Sequence, residues 1–256
     1  MVVPSSYCWF KRSPPRTKIS GRMICCPHAG AGASSFARWA VEAPDGLDFY
    51  SLQLPGREDA THLQPPADLG AVVFDLTSAI AAFSGDGTPL VLYGHSLGAA
   101  LAYQLALDLA RSGEARPVGL LVSGRRAPHL PRRRPALHEL ADDDLVIKLS
   151  EAGGNNAFWS KPHLRRRYLD LVRNDLAALE RIPLAAEGSL AIPIVVFHGM
   201  RDPWVSQDES AAWANATRSS FKLRCHDGGH FDHHSVRHAI MSEATTLCRF
   251  DREHAA

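Results

Sequence analysis

The chain has 256 residues, of which 45% are hydrophobic and 21% charged, with 28 Lys and Arg against 27 Asp and Glu. This length and composition are typical of a globular α/β protein that forms one domain. Because positive and negative charges balance, the net charge gives no reason to expect nucleic acid or an anionic membrane as a partner. No apolar run approaches the roughly 18 residues of a membrane span, and the N-terminus carries no export signature. The five cysteines are odd in number and lack metal-ligand spacing. They predict reduced thiols in a cytoplasmic protein without a metal site.

Short β-rich runs alternate along the chain with longer helical patterns. The predicted strands are 7–11, 22–26, 47–54, 90–93, 117–123, 192–198 and 221–225, and the predicted helices are 34–40, 69–83, 99–111, 211–216 and 234–250. Strands rich in Val, Ile and Leu that alternate with helices indicate an α/β fold. We therefore expect a mostly parallel central sheet flanked by helices on both faces.

Residues 128–183 break this alternation, because they contain no convincing strand. Helical patterns at 142–151 and 163–179 occupy the interval instead. We expect a single domain over residues 1–256 with a helical lid inserted at about 128–183, before the strand predicted at 192–198. Such a lid would exclude water and shape a substrate pocket. The alternative is that these helices are crossover helices of the main layers.

The sequence GHSLG at 94–98 follows an apolar run and precedes an alanine-rich segment. Glycines at positions 94 and 98 favour a tight turn between strand and helix, at positions where a side chain would collide with its neighbours. Ser96 would then lie at the apex of a nucleophile elbow of the G-x-S-x-G kind. Because Gly-Ser turns also occur for structural reasons alone, Ser96 is a candidate nucleophile only if partners follow it.

Two residues downstream fit the partners of a nucleophilic serine. Asp202 follows the strand predicted at 192–198, and His230 follows the strand predicted at 221–225 after a Gly-Gly pair. The order Ser, Asp, His is that of the α/β-hydrolase triad, in which the histidine is the base and the carboxylate orients it. Alone, Asp202 could be an ordinary turn aspartate before proline. The rival histidines nearby are His226, His233, His234 and His238.

The stretch PHAGAGA at 27–33 follows a predicted strand and precedes a helix. Its small residues leave backbone N–H groups unobstructed, as an oxyanion hole requires. We assign one donor to the N–H of Ala29 and the other to the N–H of Leu97, the residue after the candidate nucleophile. A phosphate-binding loop is the competing interpretation, but the stretch lacks the Lys-Ser/Thr ending of a P-loop and the spacing of a dinucleotide fingerprint.

Seven stretches together resemble one known family. They are CCPHAGAGASSF (25–36), LPGRE (54–58), GHSLGAALAYQLA (94–106), SGRRAPH (123–129), HELADDDLVIKLSEAGG (138–154), GMRDPWVS (199–206) and GGHF (228–231). The chain resembles the stand-alone type II thioesterases of polyketide and nonribosomal peptide synthesis, which have the α/β-hydrolase fold. GHSLG alone occurs across many α/β hydrolases, whereas PHAGAGAS, LPGRE and SGRRAP together are more specific to this family.

The resemblance implies a serine thioesterase that hydrolyses acyl groups from the phosphopantetheine arm of acyl or peptidyl carrier proteins and so removes stalled or aberrant intermediates. It implies Ser96 as nucleophile, His230 as base, Asp202 as its orienting acid, and a mobile helical lid. No metal or bound cofactor is required, because the phosphopantetheine belongs to the partner. The chain departs from the family pattern where Leu176 follows Asp175, and where Asp232, His233 and His234 follow GGHF.

Other functions fit parts of the same pattern. A general carboxylesterase or a fatty-acid-releasing acyl thioesterase would use the same triad, and a catalytically silent module would only dock to a synthase. Arginine runs at 132–134 and 165–167 lie in the predicted lid. Arginine suits carboxylate and phosphate groups, so these runs could steer an acidic carrier protein, or they could be solvated faces.

Overall fold

The computed structural model describes residues 7–14, 18–131, 136–154, 159–183 and 185–254. Within them the chain forms one central sheet of seven strands. The strands are β1 (Phe10–Arg12), β2 (Gly21–Cys26), β3 (Leu47–Leu52), β4 (Leu90–His95), β5 (Pro117–Ser123), β6 (Ile194–Gly199) and β7 (Phe221–His226). Each predicted strand is confirmed, with ends that differ by a few residues.

The strands lie in the order β1-β3-β2-β4-β5-β6-β7. Only β1 runs antiparallel to its neighbour, and the other six strands are parallel. Every residue of β2, β4 and β5 is buried, as expected for the central strands of a sheet covered on both faces. The carboxyl ends of β2, β4, β5, β6 and β7 therefore meet at one edge of the sheet, where ligands gather in open parallel sheets.

Seven α-helices accompany the sheet in the described residues. They are α1 (Ala37–Glu42), α2 (Leu69–Ser84), α3 (Leu97–Ser112), α4 (Asp142–Glu151), α5 (Pro162–Glu180), α6 (Gln207–Ala211) and α7 (Arg237–His254). Three of the predicted helices differ clearly from the observed ones. The pattern at 34–40 begins within the 3₁₀ turn Ala33–Phe36, and α1 itself begins at Ala37. The pattern at 211–216 is a short 3₁₀ turn after α6, and α7 begins at Arg237 because Asp232–His234 form a 3₁₀ turn of their own.

Two apolar cores lie on the two faces of the sheet. On one face, Leu92 of β4 joins a cluster with Leu101 of α3, and α2 contributes to the same cluster. On the other face, Val91 packs with Trp39 of α1 and Ile240 of α7. Adjacent residues of β4 thus serve opposite cores, because successive side chains of a strand point to opposite faces. This two-sided burial fixes β4 in the centre of the sheet.

Helices α4 and α5 lie between β5 and β6 in the chain, and the described residues of that interval form no strand of the sheet. They share a small separate cluster built on Leu145, Leu149, Leu169 and Val172. Trp204 and Phe231, from the loops that follow β6 and β7, pack against this cluster. The inserted helices therefore cover the edge of the sheet at which the parallel strands end. None of the described helices is long and apolar enough to cross a bilayer.

Candidate active site

Ser96 lies between the end of β4 and the start of α3 with φ of 55° and ψ of −113°. A non-glycine residue with positive φ is strained, and the strain is supported here by close packing. A Cβ atom added to Gly94 would lie 2.0 Å from the carbonyl oxygen of Gly98, and one added to Gly98 would lie 2.0 Å from that of Cys26. The N–H of Ser96 donates to the carbonyl of Ser123 at 2.9 Å. Only glycine fits on either side of this elbow.

Asp202 and His230 are brought together by the loops that follow β6 and β7. Nδ1 of His230 donates to Oδ2 of Asp202 at 2.8 Å, and both side chains are 2% exposed. The other carboxylate oxygen of Asp202 accepts from the N–H groups of Trp204 at 2.8 Å and Val205 at 3.2 Å. Because an ionised carboxylate only accepts, the proton of a neutral His230 lies on Nδ1 and Nε2 is left as an acceptor.

Ser96 and His230 both line one cavity of about 600 Å³. Nε2 of His230 is buried and has no hydrogen-bond partner among the described residues. The three residues predicted from the sequence thus share one site, while the hydrogen bond between serine and histidine is not formed. Catalytic hydrogen bonds are often long without substrate and tighten in the reacting complex.

The loop 27–32 joins β2 to the 3₁₀ turn Ala33–Phe36 beside the elbow. The position of a Cβ on Gly98 would lie 2.7 Å from the carbonyl oxygen of Pro27, so the loop and the start of α3 are in direct contact. Across the described residues, neither the N–H of Ala29 nor that of Leu97 donates a hydrogen bond. Leu97 follows Ser96 at the start of α3, and Ala29 lies two residues after Pro27 in the loop that contacts it.

A buried ion pair links the loop 27–32 to the inserted helices. Arg57 donates to both carboxylate oxygens of Asp175 in α5, at 2.8 and 2.9 Å, and the two side chains are 3% and 0% exposed. The N–H of Gly30 donates to Oδ2 of Asp175 at 2.8 Å, and Arg57 donates to the carbonyl of Ala31 at 3.0 Å. The pair therefore holds the backbone on both sides of the Gly30–Ala31 peptide bond.

A stack of imidazoles backs the elbow. The rings of His95 and His233 lie 3.8 Å apart at 20°, and Nδ1 of His95 is 2.8 Å from Oγ of Ser123. Burial lowers the pKa of both His95 and His233 well below the usual value, and neighbouring imidazoles lower each further. Burial also lowers the pKa of His28 to about 4. These three rings are neutral at pH 7.

The rival histidines have other partners. His233 stacks on His95, Nδ1 of His234 accepts from Nε1 of Trp39 at 2.8 Å, and Nε2 of His238 lies 3.0 Å from Glu42. His226 ends β7 and is half-buried. Within the described residues, none of the four is bonded to Asp202. The residues at 232–234, which depart from the family pattern, therefore pack behind the candidate base.

The large cavity extends from Ser96 between α3, α5 and the segment that follows β5. Its walls combine apolar side chains with charged ones. They include Tyr103, Leu176, Leu179, Ile182, Trp204 and Trp213 on the apolar side and Arg125, Arg126 and Glu180 on the charged side. In the described part of the chain, no group of three His, Cys, Asp or Glu side chains could hold a metal ion. A serine beside an oriented imidazole, in a cavity with both apolar and charged walls, is the kind of arrangement that acyl transfer would need.

Sequence reasoning missed the ion pair of Arg57 and Asp175, whose positions are 118 residues apart. The only signal was that both residues lie in stretches compared with the family. Gly124 was missed as well. Its φ is +61°, and a Cβ there would lie 2.4 Å from Cε1 of His95 and 3.1 Å from Cε1 of His230. This glycine lets the chain pass directly beside the candidate base.

The arginine run at 132–134 lies outside the described residues. In the second run, Arg165 forms an ion pair with Asp143 of α4, while Arg166 and Arg167 are exposed. Arg165 thus joins the two inserted helices to each other. The remaining two side chains are available to solvent, and the steering role stays a prediction.

Comparison with known proteins identifies a family and close structural relatives. The family profile described as "Thioesterase domain" matches residues 22–248. Thioesterase PikA5 of Streptomyces venezuelae is 32% identical over 92% of this chain and 83% of its own length. The type II thioesterase BorB from the borrelidin biosynthetic cluster superposes with a TM-score of 0.83 at 30% identity, covering 94% of this chain and 97% of BorB. YbtT, the type II thioesterase of the yersiniabactin NRPS/PKS pathway, gives 0.80 at 28% identity over 94% and 97%.

Proposed function

Because this chain belongs to the thioesterase domain family and is a thioester hydrolase with the α/β-hydrolase fold, we propose that Ser96, His230 and Asp202 are its catalytic triad. The resemblance to type II thioesterases that the sequence indicated is confirmed by the comparisons. The observation that carries the triad is the buried 2.8 Å contact of His230 with Asp202 in a cavity shared with Ser96. Asp202 orients the imidazole, and the second ring nitrogen, Nε2, has no hydrogen-bond partner among the described residues.

In the first step, Oγ of Ser96 attacks the thioester carbonyl carbon while Nε2 of His230 takes the hydroxyl proton. Asp202 stabilises the imidazolium that forms. The developing oxyanion accepts hydrogen bonds from the N–H groups of Ala29 and Leu97, which have no other acceptor among the described residues. Collapse of the tetrahedral intermediate breaks the C–S bond, and the sulfur leaves as a thiol with the proton from His230.

In the second step, water attacks the acyl–Ser96 ester. His230 takes a proton from the water, the oxyanion again rests on the two backbone N–H groups, and the ester C–O bond breaks. The proton returns to Oγ of Ser96, and the free acid leaves. The neutral imidazoles of His95 and His233 pack behind this site without adding charge beside His230.

The proposed substrate is an acyl group on the phosphopantetheine arm of an acyl or peptidyl carrier protein in polyketide or nonribosomal peptide synthesis, and a cytoplasmic location belongs to the same proposal. Removal of stalled or aberrant intermediates would be the enzyme's role. The inserted helices α4 and α5, in the region predicted at about 128–183, would act as a lid. Their cluster packs directly against Trp204 and Phe231, the neighbours of the triad.

The test is mass spectrometry of an acyl-loaded carrier protein incubated with wild type, Ser96→Ala and Ser78→Ala. Ser78 is exposed on α2, and within the described residues its hydroxyl group donates only to the carbonyl of Phe74, so it controls for the loss of a hydroxyl group. We expect Ser96→Ala to lower the deacylation rate by about 10⁴-fold or more. Ser78→Ala should act as wild type does.

The same acyl group on coenzyme A and as a simple oxygen ester separates the alternatives. Faster turnover of the carrier than of both small substrates supports the editing role. Faster turnover of the oxygen ester, with the carrier left loaded, would indicate a general carboxylesterase. A strong preference for long unbranched chains on a fatty acid synthase would instead indicate a fatty-acid-releasing enzyme.

A further inference from the structure

Arg125 follows the turn at Gly124 and lines the large cavity that holds Ser96 and His230. Its backbone is fixed, because Nε1 of Trp213 donates to the carbonyl of Arg125 at 2.8 Å. Its side chain is only partly accessible to solvent. Among the described residues, however, its guanidinium makes no hydrogen bond and no ion pair. A fixed backbone thus presents an unpartnered cation to the cavity.

The neighbouring charges do not explain this arrangement. Arg126 differs, since its Nε donates to the carbonyl of Leu130 at 3.3 Å. Glu180 on α5 attracts Arg125 through space, but its carboxylate lies next to Nδ1 of His138, at 3.2 Å. Burial lowers the pKa of Arg125 to about 10, so the group is still charged at pH 7. A buried charge without a partner is unfavourable unless a ligand supplies one.

The position of Arg125 determines which part of a substrate its guanidinium can contact. The N–H of Ser96 donates to the carbonyl of Ser123 at 2.9 Å, and Arg125 is two residues further along the chain. Two residues span at most about 7 Å, so Arg125 is close to the reacting carbonyl. The phosphate of a phosphopantetheine arm lies at the far end of the arm from the sulfur. The acyl chain is therefore the part of the substrate within reach.

We propose that Arg125 is a specificity-determining residue whose guanidinium binds an acceptor oxygen carried by the acyl chain beyond the thioester carbonyl. A carboxylate is the best ligand, since the planar fork of arginine matches it, and keto or hydroxyl oxygens are weaker ones. The apolar walls of the same cavity, including Leu176 and Trp213, would receive the carbon skeleton. This inference rests on the proposed function and names the class of acyl group that the site selects.

The test compares matched thioesters of one chain length, pentanoyl against glutaryl, with 3-oxo and 3-hydroxypentanoyl as further arms. The variants are Arg125→Met, Arg125→Lys and the control Arg116→Met. Arg116 precedes β5 at its other end and its side chain is 85% exposed. We expect Arg125→Met to lower kcat/KM for glutaryl by about 10- to 100-fold relative to pentanoyl. Arg125→Lys should retain part of the preference, and Arg116→Met should change neither substrate.

Equal losses for all acyl groups would overturn the proposal, because Arg125 would then act on the arm or on folding. Unchanged ratios would overturn it as well. If Arg125→Met does not fold, calorimetric titration of Ser96→Ala with glutarate and pentanoate gives the same answer without that variant. Equal affinity for the two acids would contradict the proposal. Failure of the proposed function is separate, since it would show as thioester turnover that survives Ser96→Ala.

Discussion

Two bidentate arginine–carboxylate pairs lie at opposite ends of the sheet. At the carboxyl ends of the strands, Arg57 and Asp175 bury both charges and also bond to the backbone of Gly30 and Ala31. At the amino ends, Arg22 binds Asp86 with two contacts of 2.6 Å, but Asp86 is 55% exposed. The same chemistry serves two purposes. One pair holds an irregular loop beside the candidate nucleophile. The other joins the start of β2 to the segment between α2 and β4.

The largest difference is expected when each pair loses its carboxylate. Asp175→Asn leaves the Arg57 charge buried without a counter-charge, which should lower the free energy of unfolding by about 3–5 kcal/mol. Asp86→Asn should cost about 1 kcal/mol or less, since water reaches that pair. Arg22 also keeps Asp48 at 3.9 Å. Urea unfolding of the two variants measures both values, and equal losses would contradict the comparison.

The same two variants should also differ in catalytic activity. Asp175→Asn weakens the acceptor of the Gly30 N–H next to Ala29, so kcat should fall more than KM rises. Asp86→Asn should leave both parameters near those of wild type, because Asp86 lies at the opposite end of the sheet. Steady-state deacylation at a temperature where both variants are folded is the measurement. A change in KM alone for Asp175→Asn would show that the pair affects binding rather than the oxyanion loop.

Glycine substitutions test how tightly the loop 27–32 packs against α5. Gly30 has φ of +78°, and a Cβ there would lie 2.5 Å from Cγ2 of Val172 in α5. Gly113 has φ of +71°, but a Cβ there would have no described atom within 4 Å apart from those of its chain neighbours. Gly113→Ala should cost about 1 kcal/mol from backbone strain alone. Gly30→Ala should cost about 2–4 kcal/mol, because overpacking adds to the same strain. Thermal unfolding of both variants compares them, and similar losses would mean that α5 moves aside easily.

Histidines buried without a counter-charge should make the protein sensitive to acid. The pKa of His233 is lowered in the folded state by burial, so the unfolded chain takes up a proton first as the pH falls below about 6.5. Stability is therefore complete above that pH and declines as the pH falls toward the lower folded-state pKa. His233→Phe should flatten the decline of the urea midpoint between pH 7 and pH 5. An unchanged slope would assign the acid sensitivity to other groups.

The smallest effect is expected for a pair that is open to water on both sides. Lys148 and Glu151 of α4 lie 2.8 Å apart with side chains 47% and 51% exposed. Lys148→Ala should change the free energy of unfolding by less than about 0.5 kcal/mol. Urea unfolding at low and high salt checks this value. A loss as large as that of Asp86→Asn would mean that the stabilisation by an ion pair in this protein does not increase with its burial.

The sequence predicted the parts of the molecule that depend on local pattern. Short β-rich runs indicated the strands, and the glycines around Ser96 indicated the elbow, because each feature follows from a few neighbouring residues. Asp202 and His230 were chosen as candidates through chain order and the turns after predicted strands. The ion pair of Arg57 with Asp175 was not found, since no local pattern connects positions 118 residues apart.

The surroundings of the candidate base were also beyond prediction. The stack of His233 on His95 depends on how the turn after His230 packs against the elbow, and the sequence indicated only that His233 departs from a family pattern. The same limit applies to Arg125. Its place in the chain was evident, but its lack of a partner in the described part of the chain depends on where Glu180 and Trp213 lie in three dimensions.

The hydrogen bond from Gly30 to Asp175 makes one amide proton a reporter of motion. This proton bridges the loop 27–32 and α5, so it can exchange with deuterated solvent only after α5 and the loop separate. Its exchange rate at constant pH would therefore count openings of the inserted helices. A carrier protein that opens them should speed the exchange, and an acyl group that holds them closed should slow it.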